Sequence, residues 1–501
     1  MGGGIALLLA ENGVHVSLSD PSEETMDGIM QKAKKAGYNG LVEKYKDHKS
    51  LCRSLSKPRL LVFSLPHGNV GDKVLEGLMP YLDRGDIVLD CGNEHFTNTE
   101  RRQEHCKGTG VRYIGSGVSG GYQAARAGPS ICPGGDESAL KDVMPLLEKI
   151  AAKDEDGNPC VGVIGRGGAG HYVKMVHNGI EHGMMSAICE AWGIMRKMGM
   201  GYEDVGKVLQ KWNDSGELKG TFLISIGADL SHKRYPGTDG STKGQPLVIS
   251  EVLDKVVQDV TGEEGTGIWS NTEAIERHVP AITLNAAHAF RLASAYRGDR
   301  IKANELTRGG FAPQELEIDN KNAFIEKLRR ATYLACLASY IQGMQVIARA
   351  DQEHEWHINY ANIWKIWRGG CIIQADYISD KILKPILLKP SLSPADMHLL
   401  FHQHVAEEVL KSYPSLRRIV SKAVETDQVA PTLSASLEYF KMVTGTDLPT
   451  SFYEAELDYF GAHMFDKKGE EDTDGPTEGR HHFEWKPVQT QRQVYGASSK
   501  V

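Results

Sequence analysis

Lys174, Asn178 and Glu181 stand at i, i+4 and i+7 in the stretch Gly165–Glu181. At 3.6 residues per turn this spacing sets an amine, an amide and a carboxylate along one helical face, among the apolar Val173, Met175, Val176 and Ile180. Gly165, Gly167, Gly168 and Gly170 precede them, and glycines at that density let a backbone pass close to a ligand. A glycine-rich turn feeding a helix with three polar groups in register is therefore a candidate ligand site. The same spacing also fits a solvent-facing Lys–Glu helix face, so the surrounding elements must decide.

The 501 residues suggest roughly three domains, and 41% hydrophobic content is ample for real cores. A net charge of −8 with no Lys/Arg-rich run argues against nucleic acid or an anionic membrane as the partner. The cysteines are scattered, with no CxxC, and the histidines, His402 and His404 included, show no ligand-like spacing. Reduced thiols, a cytoplasmic location, and neither metal nor disulfide are expected. The apolar run Ile5–Ala10 is too short to span a membrane and lacks a basic start.

Residues 2–13 read as the end of a Gly-rich turn, with Gly2 and Gly4 facing a nucleotide, followed by a helix; Val14–Asp20 is the next strand. The strand that normally precedes such a turn is missing from the sequence, as an incomplete gene model would leave it. Two exposed sheet edges and a weakened cofactor site follow as expectations. Asp20 ends its strand 18 residues after Gly2, where an acidic side chain accepts from a ribose 2′-OH and repels a 2′-phosphate. Further strands are expected at 59–66, 86–93, 111–115 and 160–164, with helices between, so residues 1–166 form an open α/β domain of Rossmann-like type. Beyond Gly170 the pattern turns helical, most clearly over 171–199, 271–297, 321–350 and 394–411, with a loop at 231–244. Residues 167–445 are assigned to an all-helical domain. Residues 446–501 end in an extended tail whose Phe483 and Trp485 should dock on something, such as a partner subunit.

Taken in order, Gly115-Ser-Gly-Val-Ser-Gly-Gly121, Ala125-Arg-Ala-Gly-Pro-Ser130, Pro133-Gly-Gly135, Gly168 to Glu181, Trp367-Arg-Gly-Gly-Cys-Ile-Ile373 and Asp458-Tyr-Phe-Gly-Ala-His463 span nearly the whole chain. In these the chain resembles the decarboxylating 6-phosphogluconate dehydrogenases of the β-hydroxyacid dehydrogenase superfamily. The resemblance implies a nicotinamide-dependent oxidation of a sugar acid followed by loss of CO2, in a homodimer whose tails thread into the neighbouring subunit. It implies Lys174 as general base, Glu181 as general acid and Asn178 as a third catalytic group. A lysine takes a proton only when neutral, so such a site must favour the uncharged amine. Ser119, Gly120, Gly121, His177 and Asn178 match substrate-holding positions, and Asn93 one between substrate and cofactor.

Both recognition ends depart from the family pattern. The family's phosphate-binding tyrosine, lysine, arginine and the partner tail's Arg and His correspond here to His182, Glu264, Arg291, Leu457 and His463. Each charge-assisted phosphate contact is worth about 1.5–3 kcal/mol. Two cationic positions are lost, so a weaker grip on phosphate and an altered sugar-acid substrate are expected, unless Arg300 or Lys302 compensates. Asp20-Pro-Ser22 replaces the family's NADP-reading Asn-Arg-Thr, which implies NAD over NADP. The competing functional class is a non-catalytic dimeric scaffold that binds nucleotide or sugar acid without turnover.

Overall fold

A computed structural model of the chain describes residues 1–238, 240–262, 265–470 and 479–486. Glu264, expected at the phosphate end, lies outside the described residues. Residues Met1–Tyr439 form one compact unit and Phe440–Val501 a second.

Short apolar runs in the first part form six strands: β1 (Val16–Leu18), β2 (Val42–Lys44), β3 (Leu60–Phe63), β4 (Ile87–Asp90), β5 (Arg112–Ser119) and β6 (Ser130–Gly135). β1 and β2 pair in parallel as a separate two-stranded sheet. The second sheet has the order β3-β4-β5-β6, parallel except for antiparallel β6. Among the described residues no strand joins the β1-β2 pair to the β3-β4-β5-β6 sheet, so the strands form two separate sheets. Gly2–Gly4, expected in a turn, instead make the first helical turn of α1 (Gly2–Glu11). The reason is local: Gly4 and Ile5 both donate backbone hydrogen bonds to the Met1 carbonyl. Ile5, Leu8 and Leu9 of α1 bury against Leu89, Ile114, Val118, Ile131 and Leu147 in the main core of this region.

The expected strand at 160–164 is not one. Val161 makes only an isolated bridge to Ile131, and β6, unforeseen in the sequence, carries the pairing with β5 instead. β6 contains Pro133, Gly134 and Gly135, residues depleted in strands, and it is held by register with β5 rather than by propensity.

The helices that bear on the site are α2 (Phe96–Lys107), α3 (Gly121–Ala127), α4 (Ala169–Lys197), α5 (Gln258–Thr261), α6 (Thr266–Glu276), α7 (Ile282–Ala295), α8 (Lys321–His354) and α9 (Gln403–Glu425). α4 and α8 match the expected spans closely. The expected 271–297 helix is broken into α6 and α7 at His278, whose φ is +54°, followed by Pro280, which cannot donate. The expected 394–411 helix begins as two short 3-10 turns, and α9 starts only at Gln403. Small residues bring α4 and α8 together: a Cβ at Gly183 would overlap Ser339, and one at Gly343 would lie 2.5 Å from Ile180 Cγ1. This packing buries α4 almost completely and makes it a rigid platform.

In the second unit, α10 (Thr450–Gly461) ends at Ala462 in the left-handed region. Asp458 accepts from Met464 N, His482 Nδ1, Phe483 N and Trp485 Nε1 at 2.8–3.1 Å, so the described tail residues dock onto this helix.

Candidate active site

Two glycine-bearing surfaces meet where α4 crosses β5 and β6. A Cβ at Gly117 would overlap the Lys174 side chain, so the absence of one lets the helix lie on the strand and sets where Lys174 starts. Ser119 ends β5, and Gly120 then turns the chain at φ +105°, with the Gly370 carbonyl occupying the space a side chain would need. That carbonyl also accepts from Ser130 N at 3.1 Å, so the Trp367–Cys371 motif closes one wall of the site.

Lys174 and Asn178 are each 7% exposed, and the Lys174 amine donates to Asn178 Oδ1. Asn178 Nδ2 donates to Thr266 Oγ1 at 2.8 Å. His177 Nδ1 lies 3.0 Å from the same Asn178 oxygen, and its Nε2 lies 3.0 Å from Ser119 Oγ. The amide orientation assigns the tautomer: Nδ1–H donates to Asn178, and Nε2 accepts from the Ser119 hydroxyl. Burial first, and then the Lys174 charge, push His177 well below the ordinary imidazole range, so this histidine is neutral. Glu181 is part-exposed on the same face, with Oε2 3.9 Å from His177 Nδ1. The result is one connected set, Ser119–His177–Asn178–Lys174, with a carboxyl group at its rim.

The other expected site residues fall into three groups. Asn93 is exposed in the loop after β4, at the carboxyl ends of the parallel strands, where open α/β sheets receive ligands. Asp20 is exposed after β1, and its Oδ1 accepts from Ser22 N at 2.8 Å. Gly2 and Gly4 lie in the first turn of α1; an added Cβ at Gly4 would sit 3.2 Å from the Ala125 backbone of α3, so this glycine serves close helix packing. The first N–H groups of a helix have no carbonyl partner within it and form an anion-ready end, which suits a dinucleotide phosphate.

At the distal end, His182 is buried and held down to about 3 by burial, with Arg291, His288 and Lys174 adding to the effect. It is therefore a neutral group, not a cationic anchor. Arg291 donates from Nε to Asp259 Oδ2 at 2.6 Å, which neutralises much of its charge. Arg300 is held by Asp254 through bonds of 2.9 and 2.6 Å, so it is not available as a replacement cation. Leu457 and His463 belong to the second unit. Thr266, Asp259 and His288 were not foreseen as site residues. Thr266 sits inside the Gly265-Thr-Gly267 motif, a usable signal; the other two carry none.

Comparison with known proteins gives a consistent result. Residues 1–165 match the NAD binding domain of 6-phosphogluconate dehydrogenase, and residues 170–485 match its C-terminal domain. The decarboxylating 6-phosphogluconate dehydrogenase of Emericella nidulans is 42% identical over 499 residues, covering 97% of this chain and all of that one. Decarboxylating enzyme 2 of Arabidopsis thaliana is 35% identical over 498 residues, covering 99% and 97%. The solved structure of Plasmodium falciparum 6-phosphogluconate dehydrogenase, studied with NADP+ and with 6-phosphogluconate, aligns with a TM-score of 0.83 at 33% identity, covering 97% and 98%. Among the described residues no helix is long and apolar enough to cross a membrane.

Proposed function

The chain belongs to the 6-phosphogluconate dehydrogenase family, and from that membership we propose that it is an NAD(P)-dependent oxidoreductase that oxidises and decarboxylates 6-phosphogluconate or a closely related sugar acid. The observation that carries the reading is the buried Ser119–His177–Asn178–Lys174 set beside Glu181. A non-catalytic scaffold has no use for an amine, an imidazole and a hydroxyl desolvated in one hydrogen-bonded line, since each costs free energy to bury.

The nicotinamide cofactor, when bound, accepts hydride from the substrate carbinol carbon. The rest is work for the chain's own groups. Lys174 takes the hydroxyl proton, and as an ammonium it then stabilises negative charge on the carbonyl oxygen during loss of CO2. Asn178, fixed by Thr266, keeps the amine aimed at one place. Ser119, with its proton committed to His177, offers an oriented hydroxyl oxygen to the substrate's own hydroxyls. Glu181, at the more open edge of the face, returns a proton to carbon.

Substrate choice follows from the distal end. With His182 neutral, Arg291 tied to Asp259 and Arg300 to Asp254, a phosphate gains little positive charge from these three side chains. The ratio of kcat/KM for 6-phosphogluconate over gluconate should accordingly stay below about a hundredfold, which corresponds to roughly 2.7 kcal/mol of phosphate recognition. Steady-state NAD(P)H formation with both acids measures it, and a larger preference would restore a standard phosphate site.

Cofactor choice follows from Asp20. Its exposed carboxylate, with Oδ1 engaged by Ser22 N, favours the ribose hydroxyl of NAD and repels the 2′-phosphate of NADP. We expect kcat/KM to be higher with NAD, and Asp20→Ala to narrow the ratio by about tenfold, the equivalent of roughly 1.4 kcal/mol. A wild-type preference for NADP would contradict this assignment. Seven of the eight cysteines are buried and all are free, which fits a reducing compartment such as the cytoplasm.

A further inference from the structure

Three side chains at the distal end remain without a task in this reaction as a set. His182 on α4, Asp259 on α5 and His288 on α7 are 6%, 6% and 8% exposed, and one ligand-capable atom from each lies within 4.8 Å of the others. Among the described residues His182 Nδ1, Asp259 Oδ1 and His288 Nδ1 are each buried without a hydrogen-bond partner. His288 Nδ1 is 3.8 Å from Asp259 Oδ1, too far for a hydrogen bond. The two imidazole planes are within 4° of parallel, with ring centroids 6.2 Å apart. A buried polar atom left without a partner destabilises the folded chain. Three such atoms converging on one place point to a ligand that satisfies them together.

Two features prepare that place. A Cβ on Gly267 of α6 would stand 3.0 Å from both Nδ1 atoms, so the glycine leaves open the space between them. Arg291 holds Asp259 Oδ2 at 2.6 Å, which fixes the carboxylate and leaves Oδ1 for the histidines.

We propose that His182, Asp259 and His288 bind a divalent transition metal ion of the zinc class. Two imidazole nitrogens and a carboxylate oxygen are a donor set that zinc accepts, at about 2.0–2.2 Å, which separates tetrahedral ligands by roughly 3.3 Å. Small side-chain rotations bring the present spacing to that value. Magnesium and calcium are poorer occupants because they take oxygen ligands almost exclusively. An anion is poorer still, since it would face the Asp259 carboxylate. The Asp259 and Arg291 charges offset each other, so the ion binds exchangeably, with one tetrahedral position left for water. No spacing along the chain signals this set, because the three ligands come from three separate helices.

The test needs no turnover and is independent of the substrate reading. The full chain, stripped with a chelator, is titrated with cobalt(II) and followed by the visible absorption of the four-coordinate ion. One equivalent is expected to bind and to be displaced by zinc. His288→Ala and, separately, Gly267→Ala should each weaken binding at least about tenfold. The second variant keeps every ligand and only fills the space between them, and matched melting curves establish that it is folded. His404→Ala, whose Nε2 meets the Ile382 carbonyl in another part of the fold, should bind as wild type. Absence of stoichiometric cobalt binding, or binding that survives both substitutions, overturns the proposal.

Discussion

Replacing Lys174 by methionine is expected to lower kcat by about a hundredfold to ten-thousandfold, the range in which a positioned proton-transfer group contributes. Methionine is unbranched and only one atom shorter, so most of the apolar contacts of this residue, which is 7% exposed, are retained. Asn178 Oδ1 loses the donation from the amine but keeps its contact with His177 Nδ1 at 3.0 Å, and Asn178 Nδ2 keeps Thr266. The change therefore removes the proton acceptor and the later ammonium charge while leaving the platform standing. Cofactor affinity, measured by NADH fluorescence titration, should be unchanged, because the cofactor contacts expected of Asp20 and α1 are elsewhere. Residual turnover within tenfold of wild type would remove Lys174 from the mechanism, and with it the main support for the proposed activity.

Arg102→Ala should destabilise the protein by about 3–5 kcal/mol, the usual cost of removing one partner from a buried ionic cluster. The Arg102 side chain is 2% exposed and meets Asp72 at 2.9 Å, Glu94 at 2.8 Å and Asp90 at 3.3 Å. Asp90 also accepts from Tyr113 OH at 2.6 Å. Without the guanidinium, Asp90 and Glu94 are left as buried carboxylates of side-chain exposure 4% and 3%. The position matters for function as well as stability. Glu94 accepts from Gly68 N and His95 N, so it ties together the loops after β3 and β4, one of which carries Asn93. An increase in KM for the cofactor should accompany the loss of stability.

The pH dependence of that variant has a definite sign. Burial alone would raise Glu94, but the Asn98 and Arg102 hydrogen bonds and the Arg102 charge outweigh it and hold the carboxyl below its usual range. Burial likewise opposes Asp72, and its bonds to Arg102 and Arg101 prevail. Groups depressed in the folded state contribute stability above their unfolded values near pH 4, and that contribution disappears as pH falls through the folded values. The difference between wild type and Arg102→Ala should thus be greatest at neutral pH and shrink on acidification, where the stranded carboxylates are protonated. Urea midpoints at a series of pH values read this directly. A difference that grows toward acid would mean that Arg102 does not stabilise these carboxylates.

Much of the architecture was legible because it rests on local periodicity. The helical spacing of Lys174, Asn178 and Glu181 is a property of the sequence, and α4 runs from Ala169 to Lys197, close to the 171–199 expected. The short apolar runs at Leu60–Phe63 and Ile87–Asp90 likewise declared themselves as strands. The misread segments are those where a neighbour overrides propensity. β6 is rich in glycine and proline and exists because β5 pairs with it. Val161 has strand-like neighbours but finds only an isolated bridge. The expected helix over 271–297 ignored Pro280, which ends the apolar period that runs through it.

The sequence alone determined the family, the order of an α/β region before a helical one, and the shared helical face of Lys174, Asn178 and Glu181, since all of these are carried by motifs contiguous along the chain. Tertiary structure alone decided the state of those residues. That His177 is neutral, that its Nε2 meets Ser119 across 58 positions, and that Thr266 fixes Asn178 across 88 depend on burial and on contacts between distant segments. The same holds for Arg291, whose charge is taken by Asp259, and for the convergence of His182, Asp259 and His288 from three helices. Spacing along a chain fixes which side chains share a face, but desolvation and long-range partners fix their charge and direction, and these arise only when the chain is packed.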